Sequence, residues 1–275
     1  MNVKILAKWG GVPMVCDLWR YRELIARLTW LEVTKRYKGS LLGLLWSILT
    51  PLAMLAVYTF AFSVILQIRW TESGMGHLQF AMALFAGLIA FDLFSRAILS
   101  SSDIITGHSS YVKRMVFPTQ VLPVVGVASA LVEAVFKLAV LLVWALVAYG
   151  GIPWTWVFLP LGLLPLILLS LGLSWIIALA GVYLRDLGHF VGIAVQMLFF
   201  LTPIFYPLSA VPSSLRLVAL ANPLASVVAS FRDMLLWGRT PDWIFLVLWT
   251  LVSLVLASAG HALFMSRKMD LSEEV

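Results

Sequence analysis

Two pairs of oppositely charged residues stand within long apolar stretches of this 275-residue chain. Asp92 and Arg96 are four residues apart, and so are Glu133 and Lys137, with the acid first in each pair. On a helix this spacing brings each carboxylate beside its cation, in the more favourable order. Charges among apolar residues are costly and usually functional, yet a paired charge serves helix packing as readily as substrate binding. The chain shows no row of unpaired carboxylates, which argues against a proton relay.

A basic and aromatic cluster, from Lys35 to Lys38, directly precedes a run from Gly39 to Ile68 that contains no charged residue. Lysine, arginine and tyrosine at the end of an apolar helix hold that end at the lipid headgroups. Trp46 offers a further ring near the same boundary. The cluster therefore indicates that the residues after it enter a membrane as a helix.

The composition supports a membrane protein. Apolar residues make up 62% of the chain and charged residues 12%, whereas a soluble domain has about 45–50% and about 25%. The net charge of +6 is interpreted as an orientation signal rather than a nucleic-acid footprint, because the cations flank apolar runs. With Cys16 as the single cysteine, no internal disulfide can form. No cleavable signal peptide is expected, because the weak apolar patch from Val12 to Cys16 lacks the required pattern.

Six apolar segments approach the roughly 20 residues that a helix needs to cross a bilayer. Their continuous apolar character excludes the alternation of outer-membrane strands, so the expected fold is an all-α integral membrane protein, with residues 1–275 as a single domain. The predicted spans cover residues 41–66, 78–100, 119–148, 156–183, 190–206 and 243–265.

Lysine and arginine are distributed unequally over the connecting segments. With six spans both termini share one side, and that side carries thirteen of these residues against four on the other. Cytoplasmic loops hold the excess, so we expect both termini in the cytoplasm. Trp70, Trp154, Trp156, Trp237 and Trp243 fall at the predicted outer edges, as interfacial aromatic residues do.

The pattern over residues 17–38 predicts an amphipathic helix in the membrane interface. Charged residues surround one apolar face, and Gly39-Ser40 is the expected bend before the first span. A solvated basic tail is the alternative. The apolar face consists of Leu18, Tyr21, Ile25, Leu28 and Leu31.

The segment between the second and third spans mixes two cations with apolar residues before Pro118. This mixture predicts a short amphipathic helix suited to a groove on a soluble partner, and a helix lying on lipid is equally consistent with it. The residues concerned are Tyr111, Val112, Lys113, Arg114, Met115 and Phe117.

The segment 207–237 is too long and too apolar for a simple loop, and prolines interrupt it. We expect two short re-entrant helices that line the exit of a pathway, because irregular backbone at membrane depth needs protein or water around it. A helix lying on the outer surface is the alternative. Arg232 and Asp233 are expected off an apolar face made of Leu224, Val227, Val228, Phe231 and Leu235.

Motifs for chemistry are missing from the sequence. There is no G-x-x-x-x-G-K-[ST] phosphate loop and no G-x-S-x-G elbow. The four histidines are scattered and there is one cysteine, so no metal-ligand cluster is expected. The chain is therefore interpreted as a pathway without its own source of energy.

The order of motifs resembles that of ABC-2 type transport permeases, most closely the polysaccharide-export branch of Wzm-, KpsM- and TagG-like subunits. The first span of this family begins with R-Y-[KR]-x-S, then L-G-x-x-W, then P-L. Later landmarks follow in the same order, at Phe117-Pro118, Val182–Leu187, Thr202–Pro207 and Asn222-Pro223, and the resemblance covers residues 17–265. The first motif is matched by Arg36, Tyr37, Lys38, Ser40, Leu42, Gly43, Trp46, Pro51 and Leu52.

The resemblance implies a permease subunit in the bacterial inner membrane, within an ATP-driven exporter of a lipid-linked cell-surface polysaccharide such as O-antigen, capsule or teichoic acid. It implies a homodimer with two copies of a separate ATPase, which binds ATP and Mg²⁺, and neither cofactor nor enzymatic activity in this chain. Tyr111–Phe117 would dock on the ATPase. The substrate would enter at Arg36, Tyr37 and Lys38, where cations can meet lipid phosphates.

Sugar rings stack their C–H faces on aromatic side chains, so aromatic residues of the first and fifth spans are candidates for a glycan channel. Any of them can instead pack against helices or lipid. A permease of the same family for a drug or lipid is the alternative function, and an ion-coupled carrier or a purely structural subunit is less favoured. The channel candidates are Trp46, Tyr58, Phe60, Phe62, Phe199, Phe200, Phe205 and Tyr206.

Overall fold

The computed structural model describes residues 11–65, 77–108, 117–184, 186–206, 211–212 and 221–268. All regular structure in these ranges is helical, as the long apolar runs predict. Short 3₁₀ turns at Gly43–Leu45, Thr106–His108 and Trp154–Phe158 connect helices, and π-helical stretches at Thr59–Ile65 and Asp233–Trp237 continue α3 and α8. The α-helices are α1 Gly11–Arg20, α2 Arg22–Tyr37, α3 Trp46–Tyr58, α4 His77–Ser101, α5 Val121–Tyr149, α6 Leu159–Tyr183, α7 Leu187–Leu201, α8 Pro223–Arg232 and α9 Trp243–Arg267.

Four helices of the described part are long and apolar enough to cross a membrane. They correspond to the second, third, fourth and sixth predicted spans, and two shorter apolar helices, Trp46–Ala61 and Leu187–Leu201, lie in the first and fifth. The chain is therefore a multi-pass helical membrane protein. The four long segments are Gln79–Ser101, Val121–Val147, Trp154–Tyr183 and Trp243–Arg267.

The helix ends follow from local sequence. Gly150 ends α5 with φ +68°, a left-handed conformation that glycine adopts without strain. Asp242 caps α9 by accepting a hydrogen bond from the backbone N–H of Ile244 at 3.1 Å. The helix α7 ends at Leu201, five residues before the end of the predicted fifth span, residues 190–206. Pro203 supplies the reason, since a proline lacks the N–H and disfavours helical backbone in the residue before it.

The N-terminal region departs from the single helix predicted over residues 17–38. The structure breaks at Tyr21 into α1, which packs against α9, and α2, which packs along α5. The inward face of α2 is also shifted, because Thr29 and Val33 are buried whereas Leu31 is 54% exposed. Backbone hydrogen bonds from Tyr21 to Asp17 and from Ile25 to Tyr21 continue across this point, so the break is a kink between helices that pack on different neighbours.

The expected bend before the first span is present. Gly39 and Gly43 have φ of +86° and +51°, a region that side chains other than glycine rarely occupy. The helix α3 consequently begins at Trp46, five residues later than the predicted start of the span.

Two hydrophobic clusters fill the bundle and define its two ends. The first runs between α4, α5, α6 and α8, with Phe231 and Met234 fully buried. The second surrounds Trp175 and joins α1, α4, α5, α6 and α9. We call the region of the second cluster the α1 end of the bundle and the region of α8 the α8 end.

A close crossing of small residues fixes α6 against α9. A Cβ atom added to Gly172 would stand 2.8 Å from the backbone nitrogen of Ala257, and one added to Gly260 would collide with the carbonyl of Gly172. Small residues let helix backbones approach in this way inside membranes, where van der Waals packing drives association. The crossing holds α9 in place although most of its other side chains face outward.

Candidate functional site

A network of five charged side chains joins α2 to two of the long helices. Arg36, in the last turn of α2, donates to a carboxylate oxygen of Glu133 in α5. Arg96 of α4 lies 2.8 Å from the other oxygen of Glu133 and 2.7 Å from Asp92. Lys137 of α5 donates to the Oδ2 atom of Asp92, the oxygen that Arg96 also contacts. The network therefore fixes the end of the N-terminal region to the middle of the bundle.

The pairing differs from the one that spacing alone predicts. The contact between Asp92 and Arg96 is confirmed, but Glu133 binds two arginines, and Lys137 reaches across to α4. Glu133 is 7% exposed at its side chain, and a carboxylate at such a site needs more than one partner to offset its lost hydration. Three cations share two carboxylates, so the network carries a surplus of one positive charge.

A cavity of about 1300 Å³ opens beside this network. Its walls come from α2, from the last turns of α4 and from the first turns of α5, and they combine apolar side chains with Lys35, Lys38 and Ser129. Arg36, Tyr37 and Lys38, the residues predicted for substrate entry, all lie on this wall. The structure thus places these three residues in one cavity with Arg96, which sequence spacing pairs only with Asp92.

Tyr37 is a neutral polar group in this charged wall. Burial raises the pKa of the Tyr37 hydroxyl, the Glu133 carboxylate raises it further, and Arg36 and Arg96 lower it. The raised pKa keeps the hydroxyl protonated and able to donate a hydrogen bond over the whole physiological range.

A second cluster of polar side chains lies at the α1 end of the bundle. The ring of His261 lies 3.2 Å from the carboxylate of Asp17, and Trp175 donates its indole N–H to the carbonyl of Gln120 at 3.0 Å. Lys268 donates to the side chain of Gln120 at 2.9 Å. Burial lowers the pKa of Lys268, and Asp17 opposes that effect. These contacts tie α1 and α9 to the beginning of α5.

Within the outer segment, α8 and the π-helical stretch after it pack against α4, and α8 also packs against α6. All five residues of the predicted apolar face are at most 5% exposed, which confirms that face. Thr155 donates to the carbonyl of Met234 at 2.6 Å, and Trp156 donates to that of Leu235 at 3.0 Å. The segment is consequently part of the bundle. Residues 207–210 and 213–220 of the predicted re-entrant segment lie outside the described residues.

Arg232 was expected off the apolar face, and that expectation is wrong, because it is 4% exposed. Its guanidinium donates to the backbone carbonyls of Ala83 at 2.8 Å, of Pro203 at 2.9 Å and of Ile204. The planar guanidinium can donate to several acceptors at once, and these hydrogen bonds offset the loss of water around the buried charge. In the sequence, the burial of Arg232 is indicated by the position of this arginine within an apolar segment.

The other end of α8 is held to the same turn. Asn222 caps α8 by accepting from the N–H of Leu224 at 3.0 Å, and it donates to the hydroxyl of Thr202 at 3.1 Å. Together with Arg232 this gives α8 two connections to the turn from Thr202 to Ile204. Both ends of α8 are therefore hydrogen-bonded to the turn that follows α7.

The aromatic candidates for a channel divide into two groups. Phe199 packs edge-on against Phe91 and Phe205, with ring centroids 5.0 and 5.3 Å apart, and both Phe199 and Phe205 pack against the first cluster. Tyr206 donates to the carbonyl of Phe200 at 3.0 Å. The exposed members of the set are Trp46, Phe60 and Phe200, while Tyr58 is half-buried and the side chain of Phe62 lies outside the described part.

Most of the predicted docking helix, from Tyr111 to Met115, lies outside the described residues, as do Trp70 and Arg185. Its last residue, Phe117, is half-buried and packs against the second cluster. The end of this segment is therefore in contact with the core that α1, α5 and α9 share.

Comparison with known proteins gives the family. The family model described as ABC-2 type transporter matches residues 23–236. The O-antigen export system permease protein RfbA of Myxococcus xanthus is 32% identical over 267 residues, which cover 96% of this chain and all of that protein. RfbA of Klebsiella pneumoniae is 26% identical over 96% of this chain and 99% of that protein. The polysialic acid transport protein KpsM of Escherichia coli is 29% identical over 86% and 90%.

The chain therefore belongs to the ABC-2 type transporter family. The matched region begins within α2 and ends in the π-helical stretch after α8. It thus contains the ion network, the cavity and α8, whereas Asp17, His261 and Lys268 of the second polar cluster lie outside it.

Proposed function

We propose that this chain is the membrane-spanning permease subunit of an ATP-driven exporter that moves a lipid-linked cell-surface polysaccharide out of the cytoplasm. The polymer is of the O-antigen, capsule or teichoic acid type. The observation that carries this proposal is similarity over nearly the whole chain to permeases named for O-antigen export. Similarity to a polysialic acid transport protein supports the wider class of polysaccharides.

The proposed arrangement has six spans in the inner membrane with both termini in the cytoplasm. The apolar character of the two shorter helices supports counting them as spans, and the excess of lysine and arginine supports the orientation. The segment 207–237 is proposed as the re-entrant closure of the outer side. Support for this comes from the burial of α8 among α4 and α6.

Two copies of this chain and two copies of a separate ATPase form the proposed exporter. The exposed rows of large apolar residues on α3 and α7 support a second copy, because contiguous apolar surface beyond the needs of one chain marks an interface or lipid. ATP and Mg²⁺ are bound by the ATPase. Tyr111–Phe117 is the proposed docking segment, and the packing of Phe117 against the second cluster offers a route for motion into the bundle.

Transport begins, in this proposal, at the cavity lined by Arg36, Tyr37 and Lys38. The surplus positive charge of the network attracts the phosphates of the lipid carrier, and the polymer passes between the two copies. Aromatic side chains exposed on α3 and α7 offer stacking faces to successive sugar rings. The exposure of Trp46, Phe60 and Phe200 supports their place in that channel.

Depletion of the chain from its cell tests the proposed function. We expect one long polymer to disappear from the surface while its lipid-linked form accumulates inside, as measured by glycan electrophoresis of surface and intracellular fractions. An unchanged glycan in both fractions would contradict polysaccharide export and would favour a permease for a drug or a lipid. Restoration by the full-length chain is the control for effects on neighbouring genes.

A further inference from the structure

One face of α5 carries two adjoining concave surfaces of opposite character. The face is continuous because its residues recur every seven positions, which is close to two helical turns. Near the beginning of α5 this face lines the polar cavity, and further along it lines a groove of about 570 Å³ between α5 and α3. Its two rows are Leu122, Ser129, Phe136 and Val143, and Gly126, Glu133, Val140 and Val147.

The groove is almost wholly apolar. Ile48 and Leu52 of α3 form one wall, and residues of α5 from Phe136 to Val147 form the other. These eleven steps along α5 correspond to about 17 Å at 1.5 Å per residue. One leaflet contributes half of a hydrocarbon core of about 30 Å, or about 15 Å, so the groove has the length of a lipid tail in a single leaflet.

The charged network separates the groove from the cavity. Glu133 stands between Ser129, which lines the cavity, and Phe136, which begins the groove. Because Glu133 is bound by Arg36 and Arg96, the boundary is positive overall. A ligand that occupies both surfaces would need an anionic head for the cavity and a hydrocarbon tail for the groove.

We propose that this face of α5 binds the lipid anchor of the exported polymer, with its phosphate in the cavity beside Arg36 and Arg96 and its hydrocarbon tail in the groove between α3 and α5. This inference rests on the proposed function and specifies where the lipid end of that substrate lies within a single copy of the chain. Charge complementarity favours an anionic head in the cavity, and the apolar lining of the groove favours the part of a hydrocarbon tail that crosses one leaflet.

The test is photochemical cross-linking of a polyprenyl monophosphate that carries a diazirine in its tail. The full-length chain, with its ATPase, is reconstituted in phosphatidylcholine vesicles, and modified residues are located by mass spectrometry. We expect modification of the groove walls on α3 and α5, and competition by unlabelled polyprenyl phosphate but not by phosphatidylglycerol. Equal competition by phosphatidylglycerol, or labelling spread evenly over the outward face of α9, would overturn the proposal.

A matched pair of variants makes the result specific. Ala139 is small, exposed and part of the groove wall, so Ala139→Trp fills the groove without entering the core. We expect it to lower labelling about tenfold, because several methylene groups lose their burial. Val135→Trp, at a position that is 55% exposed and outside the groove wall, should leave labelling unchanged. The smaller Ala139→Leu should show an intermediate loss, and undiminished labelling in both Ala139 variants would contradict the proposal.

Cell depletion distinguishes a failure of this inference from a failure of the proposed function. Loss of the surface polymer on depletion, together with absent groove labelling, would remove this inference and leave polysaccharide export standing. An unchanged surface polymer would instead remove the proposed function, and labelling of the groove would then assign it to another phosphorylated lipid and overturn the inference as stated.

Discussion

The guanidinium of Arg232 donates to the backbone carbonyl of Ala83 across 2.8 Å, although 149 residues separate the two in sequence. The same side chain donates to carbonyls of the turn that follows α7. One buried cation thus connects α4, α7 and α8 at a single point. The outer segment is therefore joined to α4 and to the turn after α7 through one side chain.

Replacing Arg232 with glutamine should destabilise the fold by about 3 kcal/mol, because buried carbonyls would lose their donors. Arg232→Lys should also be destabilised, since one ammonium cannot reproduce the planar fork of the guanidinium. The measurement is thermal unfolding of the purified chain in detergent. Arg239→Gln, at an exposed position two residues beyond the outer segment, is the control and should unfold like the unaltered chain. Equal stability of the glutamine variants at the two positions would show that the buried contacts contribute little.

Removing a carboxylate from the five-residue network should destabilise the fold more than removing a cation. Glu133→Gln leaves three cations with Asp92 alone and should cost about 3–5 kcal/mol, because breaking a buried pair leaves uncompensated charge. Lys137→Gln leaves two cations with two carboxylates, so it should cost less than Glu133→Gln, because no surplus charge remains in the network. Chemical denaturation of both variants in one detergent compares them directly. A larger loss for Lys137→Gln would mean that the surplus charge is not the controlling factor.

The sequence predicted the class of fold because hydropathy reports burial in lipid directly. The four long helices coincide with predicted spans to within a few residues, and the apolar face of α8 was identified from its helical spacing. The break at Tyr21 and the early end of α7 were missed, since both depend on tertiary neighbours or on the turn around Pro203.

The site was harder to predict than the fold. Spacing of four residues identified Asp92 with Arg96, but it could not show that Arg36 approaches Glu133 from 97 residues away. The burial of Arg232 could not be predicted for a similar reason. Its partners are backbone carbonyls, and residue types do not show where backbone carbonyls lie in the fold.

A glycine-to-alanine substitution should lower the stability of the fold in the crossing of α6 with α9 but not at an open position of α7. Gly172→Ala should destabilise by about 1–3 kcal/mol, because the added methyl meets the backbone of α9. Gly192→Ala in α7 meets nothing within 4 Å, so it should be neutral or stabilise by about 0.4–1 kcal/mol through the unfolded chain. Unfolding midpoints in detergent check both. A loss at Gly192 equal to that at Gly172 would show that general helix effects, rather than the crossing, are being measured.

Charge reversal tests the proposed docking of Tyr111–Phe117 on the ATPase. Arg114→Glu reverses one of the two cations in Tyr111–Phe117, and we expect it to weaken association with the ATPase about tenfold, since juxtaposed like charges at an interface cost free energy. The measurement is recovery of the ATPase with tagged, detergent-solubilised permease at graded salt. Arg239→Glu makes the same charge reversal at the position expected on the opposite side of the membrane, and it should leave recovery unchanged. If both variants retain the ATPase fully, Arg114 does not contribute to docking, and the segment would be reassigned to the lipid surface that its composition fits equally well.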